Sequence, residues 1–376
     1  GNKFKSAVEP FLSDSMSTAN RLQLTELLGS IWGQYLSEIS TSTGLSVDEL
    51  NAMADNLLTD PKAAAEAGLI QGLAYQDQVD EMLSKAVEVD KISSVNFIKP
   101  SKYASKLDLN GNSGYNENRV AVIVAQGEIQ SGEGDEYTIG SERIARAIRK
   151  ARESDQVKAI VLRVNSPGGS ALASEIIWRE MDLARQVKPV IASMGDVAAS
   201  GGYYIACYAD TILAEENTVT GSIGAFGLFF TAEELLHDKL GINIETVATN
   251  KHSDLGVMDR DLTASEKRIL IAQVDQIYGT FKERVATGRG MDISYVDSIG
   301  QGRVYSGQQA LNLGLVDMMG GLDEAIALAA EKAGISADYG VISYPELEDP
   351  LQAFLKELNQ GFGSAQIKKE LGQYAY

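Results

Sequence analysis

The sequence is poor in the residues that most often carry chemistry or cross-link a chain. Its single cysteine, Cys207, excludes an internal disulfide and says little about compartment. Only two histidines are present, His237 and His252. No run of about 18 apolar residues occurs, and no signal-peptide pattern opens at Gly1, so the chain as given reads as soluble. Positive charge is scarce: 33 Lys and Arg against 52 Asp and Glu give a net charge of −19 and a pI near 4.6. That balance argues against nucleic acid as a partner and against adhesion to anionic lipid. An initiating methionine is missing too. The chain opens on Gly1-Asn2-Lys3-Phe4-Lys5-Ser6, which leaves room for a natural N-terminus upstream.

What is present begins with a partial internal repeat. A shift of 246 positions lays Met16-Ser17-Thr18-Ala19-Asn20-Arg21 on Leu262-Thr263-Ala264-Ser265-Glu266-Lys267. Leu28, Ile31, Trp32, Tyr35 and Ile39 then fall on Val274, Ile277, Tyr278, Phe281 and Val285, one apolar helix face in each copy. Ala64, Gly68, Leu69 and Ile70 fall on Ala310, Gly314, Leu315 and Val316, with no gap anywhere. The expected organisation is the tail of a first, truncated repeat over 1–90, a polar connector over 91–118 and a complete second repeat over 119–345. An amphipathic C-terminal extension over 346–376 follows, with Leu351, Phe354, Leu355 and Leu358 on one helix face.

Within the complete copy, apolar runs at 120–124, 157–164, 189–193 and 211–214 read as strands. Helical patterns over 141–154 and 171–186 alternate with them, and another helix starts at Ser200. Strand–helix alternation predicts an α/β fold with a mainly parallel sheet and flanking helices.

Two glycine turns each follow a predicted strand: Pro167-Gly168-Gly169 and Ser200-Gly201-Gly202. In a parallel sheet both lie at strand carboxyl ends, where ligands generally bind. One turn offers a hydroxyl and the Gly201 N–H; the other offers an N–H from Gly168 or Gly169, and together they can form an oxyanion hole. Neither turn has the Gly-Lys-Ser/Thr ending of a phosphate loop. A serine nucleophile needs a base. His237 reads as a surface residue of an amphipathic helix over 232–238, and His252 lies in a polar stretch, so a Ser-His-Asp triad is disfavoured. A lysine serves if burial keeps its amine neutral.

The motifs Asn165-Ser166-Pro167-Gly168-Gly169-Ser170, Ala199-Ser200-Gly201-Gly202-Tyr203 and Thr220-Gly221-Ser222-Ile223-Gly224 resemble, in order and spacing, the signal peptide peptidase A family. The opening Phe4-Lys5-Ser6-Ala7-Val8-Glu9-Pro10-Phe11 resembles the lysine segment of that family's long tandem form, and the likeness covers nearly the whole chain. The resemblance implies a Clp/crotonase-like fold and a membrane-anchored serine protease. Ser200 would be the nucleophile, Lys5 the general base and Ser222 the residue that orients the lysine, with Gly201 and a glycine of the 168–169 turn as oxyanion hole. No metal or cofactor is implied. Lys251 is the alternative base, since it stands 246 positions after Lys5 and the short form of the family takes its lysine from that region. Implied partners are unfolded or membrane-released peptides, including remnant signal peptides, and further copies of the chain in a tetramer. The implied setting is the bacterial cytoplasmic membrane, with the catalytic part outside the cytoplasm and the anchor in a missing N-terminal portion. A crotonase-like acyl-CoA enzyme and a noncatalytic scaffold are the alternatives from other classes. Lys3 reads as a solvated charge and the Tyr203-Tyr204 pair as helix packing.

Overall fold

Strands whose residues alternate between two buried faces organise the second part of the chain. The computed structural model describes residues 3–56, 60–104, 117–135, 137–247 and 249–345. The first part is helical: α1 (Glu9–Leu12), α2 (Thr18–Thr43), α3 (Val47–Asp55), α4 (Pro61–Glu66), α5 (Gln76–Ala86) and α6 (Pro100–Ala104). There follow β1 (Arg119–Gln126), β2 (Glu128–Gln130), β3 (Thr138–Gly140), α7 (Ser141–Glu153), β4 (Val157–Ser166), α8 (Ala171–Arg185), β5 (Val190–Ala199) and α9 (Gly201–Ala206). The remainder is β6 (Thr211–Ala214), β7 (Val219–Gly221), α10 (Ala264–Arg289), α11 (Ile293–Ile299), β8 (Val304–Ser306), α12 (Gly307–Asn312), β9 (Met318–Met319), α13 (Leu322–Lys332) and β10 (Gly340–Tyr344).

The sheet runs β10-β1-β4-β5-β6-β9, all neighbours parallel. On one face Val120, Val122, Ala159, Val161, Ile191 and Leu213 pack under Ala325, Ala329 and Ala330 of α13. On the other, Ile123, Ile160, Leu162 and Met194 pack with Ile144 and Ile148 of α7, Ile177 and Met181 of α8, and Tyr203 of α9. Burial on both faces is why β4 and β5 read as continuous apolar runs. Each such Val, Ile, Leu or Met side chain stabilises the fold by about 1.5–3 kcal/mol relative to exposure, so the sheet is fixed at these positions.

Three helices of the first part reappear at the shift of 246 with both ends in register, and α3 and α11 share their starting position. Helices α2 and α10 both have 26 residues, and their first and last residues stand 246 apart, as do those of α4 and α12 and of α5 and α13. Ser17 and Thr263 cap the N-termini of α2 and α10, and Gly44 and Gly290 close them in the left-handed conformation. Their surroundings differ. Tyr278 and Phe281 of α10 are 5% and 3% exposed, whereas Trp32 and Tyr35 at the matching positions of α2 are 44% and 55% exposed.

Three features depart from the sequence reading. The strand expected to end at Ser193 runs on to Ala199, because its distal half pairs with β7. The helix expected around His237 is a single π-helical turn, Leu235–Lys239, in an otherwise irregular stretch. Leu235 is 55% exposed there, so no buried apolar face sustains a longer helix. The short strands β2, β3 and β7–β10 escaped notice because two to five residues carry too little periodicity. The expected C-terminal helix bearing Leu351, Phe354, Leu355 and Leu358 lies outside the described residues, as does 105–116 of the connector. Among the described residues, no helix is long and apolar enough to cross a membrane.

Candidate active site

Strand register brings two distant serines together. In the parallel pairing of β5 with β7, Ala199 stands opposite Gly221, so Ser200 and Ser222 leave neighbouring strand ends side by side. Both serines adopt a positive φ, 54° at Ser200 and 52° at Ser222. A non-glycine residue in that region is strained, and surrounding structure must hold it. The Ser200 N–H donates to Gly221 O at 2.9 Å, and the Tyr204 N–H donates to Ser200 O at 2.9 Å as α9 begins. The Ser222 N–H donates to Arg303 O at 2.7 Å, on the residue that precedes β8, the antiparallel neighbour of β7.

Lys5 arrives from the far end of the sequence. Its Nζ donates to Ser200 Oγ at 3.0 Å, Ser222 Oγ at 2.8 Å and Ser222 O at 3.1 Å, one acceptor for each ammonium hydrogen. Its backbone lies on Gly302, where a Cβ would stand 2.6 Å from Lys5 Cβ and 2.9 Å from its Cα. Only glycine permits that approach, and its φ of +81° suits glycine as well. Next to it Phe4, 9% exposed, is buried, with its N–H on Gln301 O at 2.9 Å. Burial disfavours the charged form and lowers the Lys5 pKa to about 8. Near neutrality an appreciable minority of the amine is therefore unprotonated, with its free lone pair beside the Ser200 hydroxyl.

The two glycine turns meet at Ser200. A Cβ on Gly168 would stand 2.6 Å from Gly201 N and 2.8 Å from Ser200 Cβ, so only a side-chain-free residue lets the turn lie this close. The Gly168 N–H donates to Ser166 Oγ at 3.1 Å. Gly169 is bridged to Ile129 through the Ile129 N–H on Gly168 O and the Ser170 N–H on Ile129 O, both 2.8 Å. Gly201 is buried at the first position of α9, where helix N–H groups lack intrahelical partners.

The other candidates lie apart. Lys251 is exposed among turns and makes no hydrogen bond or ion pair with Ser200 or Ser222. His237 is exposed with Nδ1 2.8 Å from Asp238. His252 Nδ1 lies 3.7 Å from Glu266, whose carboxylate is held by Arg260 and pulled well below the usual carboxylate range by that bond. Tyr203 is fully buried, its hydroxyl on Leu315 O at 2.8 Å, and Tyr204 packs on Phe281. Burial pushes the Cys207 thiol up to about 12, so it is inert. Lys3 lies over the Phe4 ring at 5.3 Å.

Residues that sequence reasoning missed flank the lysine. Gln23 on α2 is 3% exposed and bonds to the Lys5 segment. Arg303 pairs with Glu26 and lies over the Phe4 ring at 5.1 Å. The Phe226 ring stands 6.0 Å from Lys5 Nζ. No local pattern marks these positions; a glutamine on a helix is usually solvated.

Comparison with known proteins bears on this arrangement. The model of peptidase family S49 matches residues 1–90 and 182–336. The chloroplastic serine protease SPPA of Arabidopsis thaliana is 37% identical over 374 residues, 97% of this chain and 54% of that protein. Protease 4 of Haemophilus influenzae is 36% identical over 348 residues, 90% of this chain and 56% of that protein. A putative protease of Synechocystis sp. is 36% identical over 201 residues, 54% of this chain and 72% of that protein. The chain thus spans about half the length of the first two relatives. Among solved structures, a ClpP1 mutant from Listeria monocytogenes matches with a TM-score of 0.37 at 14% identity, over 55% of this chain and 94% of that one.

Proposed function

The chain belongs to peptidase family S49, and from that premise we propose a serine endopeptidase in which Ser200 is the nucleophile and Lys5 its general base. The observation that carries this reading is the 3.0 Å contact between Lys5 Nζ and Ser200 Oγ, with the amine brought to about 8 by burial. As Ser200 Oγ attacks the scissile carbonyl, the neutral amine takes the hydroxyl proton. Ser222 Oγ and O hold the resulting ammonium in line. The Gly201 N–H and an N–H of the 168–169 turn face the oxyanion, a type of contact worth about 10²–10³ in rate. Collapse breaks the C–N bond, and the ammonium gives its proton to the departing amine. Water then attacks the ester with the same lysine as base, releasing the acid and restoring Ser200.

We further propose that residues 1–90 and the end of the second part are copies of one unit. The two matched stretches of the family end at 90 and 336, which are 246 positions apart, and the helices keep that interval. On this reading the dyad joins two repeats. Substrates are unfolded or membrane-released peptides, remnant signal peptides among them, and the working assembly is a homotetramer. The setting we infer is the bacterial cytoplasmic membrane, with the site on its extracytoplasmic side. Hydrolysis of an unstructured fluorogenic peptide, abolished in Ser200→Ala, tests the activity. Turnover of an acyl-CoA thioester that survives Ser200→Ala would overturn it.

A further inference from the structure

We propose that Gln23 is a positioning residue for the Lys5 amine, its carboxamide tying the lysine segment to the chain that flanks Ser222. The proposal rests on the reading of Lys5 as base. Gln23 Nε2 lies within hydrogen-bonding distance of Phe4 O at 2.9 Å and Ser6 Oγ at 3.2 Å, on the residues either side of Lys5, and of Asn20 Oδ1 at 3.0 Å, its two hydrogens shared among the three acceptors. Its Oε1 accepts from the Val304 N–H at 3.4 Å.

Four consecutive residues thus bind both halves of the site. Gln301 O accepts from Phe4, Gly302 underlies Lys5, Arg303 O accepts from Ser222, and Val304 donates to Gln23. Removing the amide takes away the bonds from α2 to the residues on both sides of Lys5, while leaving Glu9 bonded to Ser17 and Asn20 and the three acceptors of Nζ in place. The internal comparison points the same way. The residue 246 positions after Gln23 is Ile269, and the residue 246 after Lys5 is Lys251, which is exposed. The buried amide occurs in the half of the chain whose lysine reaches the serines.

A polar side chain buried on a helix face is costly unless its bonds are made, so its presence needs a reason. Here the reason is geometric. A lysine stem has four rotatable bonds, and displacement of a reacting group by about 1 Å costs about 10²-fold in rate. Charged groups on the elements packed around Lys5 include Lys3 and Glu9 of its own segment, Arg21 and Glu26 of α2, and Arg303 just before β8. Glu26 is paired with Arg303, and Glu9 accepts from Ser17 and Asn20. None of these charges bonds to the amine, whose lowered pKa comes from burial. A loosened segment that admits water therefore returns the amine toward the ordinary lysine range.

The test is the rate at which a fluorophosphonate labels Ser200 from pH 6.5 to 10.5 in the chain, in Gln23→Met, which keeps length without the amide, and in Gln23→Glu, which cannot donate to Phe4 O. Folding is followed by circular dichroism. Both variants are expected to label about tenfold slower at pH 8, with the inflection about half a unit or more higher. Variants that keep the original inflection, whether at the original rate or with a smaller labelled fraction, overturn the positioning role. Lys5→Met separates the two layers. If it labels as fast as the unsubstituted chain, or if that chain is not labelled, the reading of Lys5 fails and this proposal with it. If only Lys5→Met is impaired, the role of Gln23 alone is refuted.

Discussion

Lys5→Met removes a buried amine while keeping most of its stem, and it should change how stability responds to pH. The folded amine titrates at about 8 against a reference of 10.5. In the unfolded chain lysine returns to its ordinary value of about 10.4. Well below pH 8 both states carry the proton, and burial of the ammonium costs about 3 kcal/mol, from 2.5 units at about 1.36 kcal/mol each. Between about pH 8 and 10.5 the unfolded state holds more protons, so stability rises with pH there and falls as pH drops through 8. Integrating from pH 7 to pH 9.5 recovers about 2 kcal/mol of the cost. Urea unfolding of the chain and of Lys5→Met at those two pH values isolates this contribution, because every other titrating group is common to both. The unsubstituted chain should gain about 2 kcal/mol more than the variant on going to pH 9.5. An equal response in the two proteins would refute the claim that burial lowers the amine.

Gly302→Ala forces a Cβ to 2.6 Å from Lys5 Cβ, and kcat/KM on a fluorogenic peptide should fall about 10²-fold as the amine is pushed out of line. Gly168→Ala meets Gly201 N at 2.6 Å; single-turnover acylation should slow by about 10²-fold, while circular dichroism of the folded protein stays the same. Ser222→Ala takes away the 2.8 Å acceptor of Nζ, and steady-state assays should show kcat reduced about tenfold with little change in KM.

The mainly parallel α/β architecture was legible because β1, β4 and β5 are long and apolar on both faces. Ser200 stood out for a physical reason: an apolar run ending in Ser-Gly-Gly marks a sharp strand-to-helix turn. Ser222 was placed beside the Ser200–Lys5 pair only by resemblance, since its adjacency to Ser200 depends on the register of the three-residue strand β7. Lys5 was singled out only by resemblance. Nothing near it in sequence shows that it is buried, which follows from packing on Gly302 nearly three hundred residues away. Gln23 stayed hidden because a glutamine on an amphipathic helix looks solvent-facing until its partners are seen. The helix expected around His237 failed for the opposite reason: its pattern suggested an apolar face that the fold leaves uncovered.

The most direct test of the account is peptide hydrolysis by Lys5→Met and Lys251→Met, measured side by side. Loss of about 10²–10⁴-fold in Lys5→Met, with Lys251→Met close to the unsubstituted chain, is the predicted result. Activity lost in Lys251→Met and retained in Lys5→Met would contradict the Ser200–Lys5 dyad.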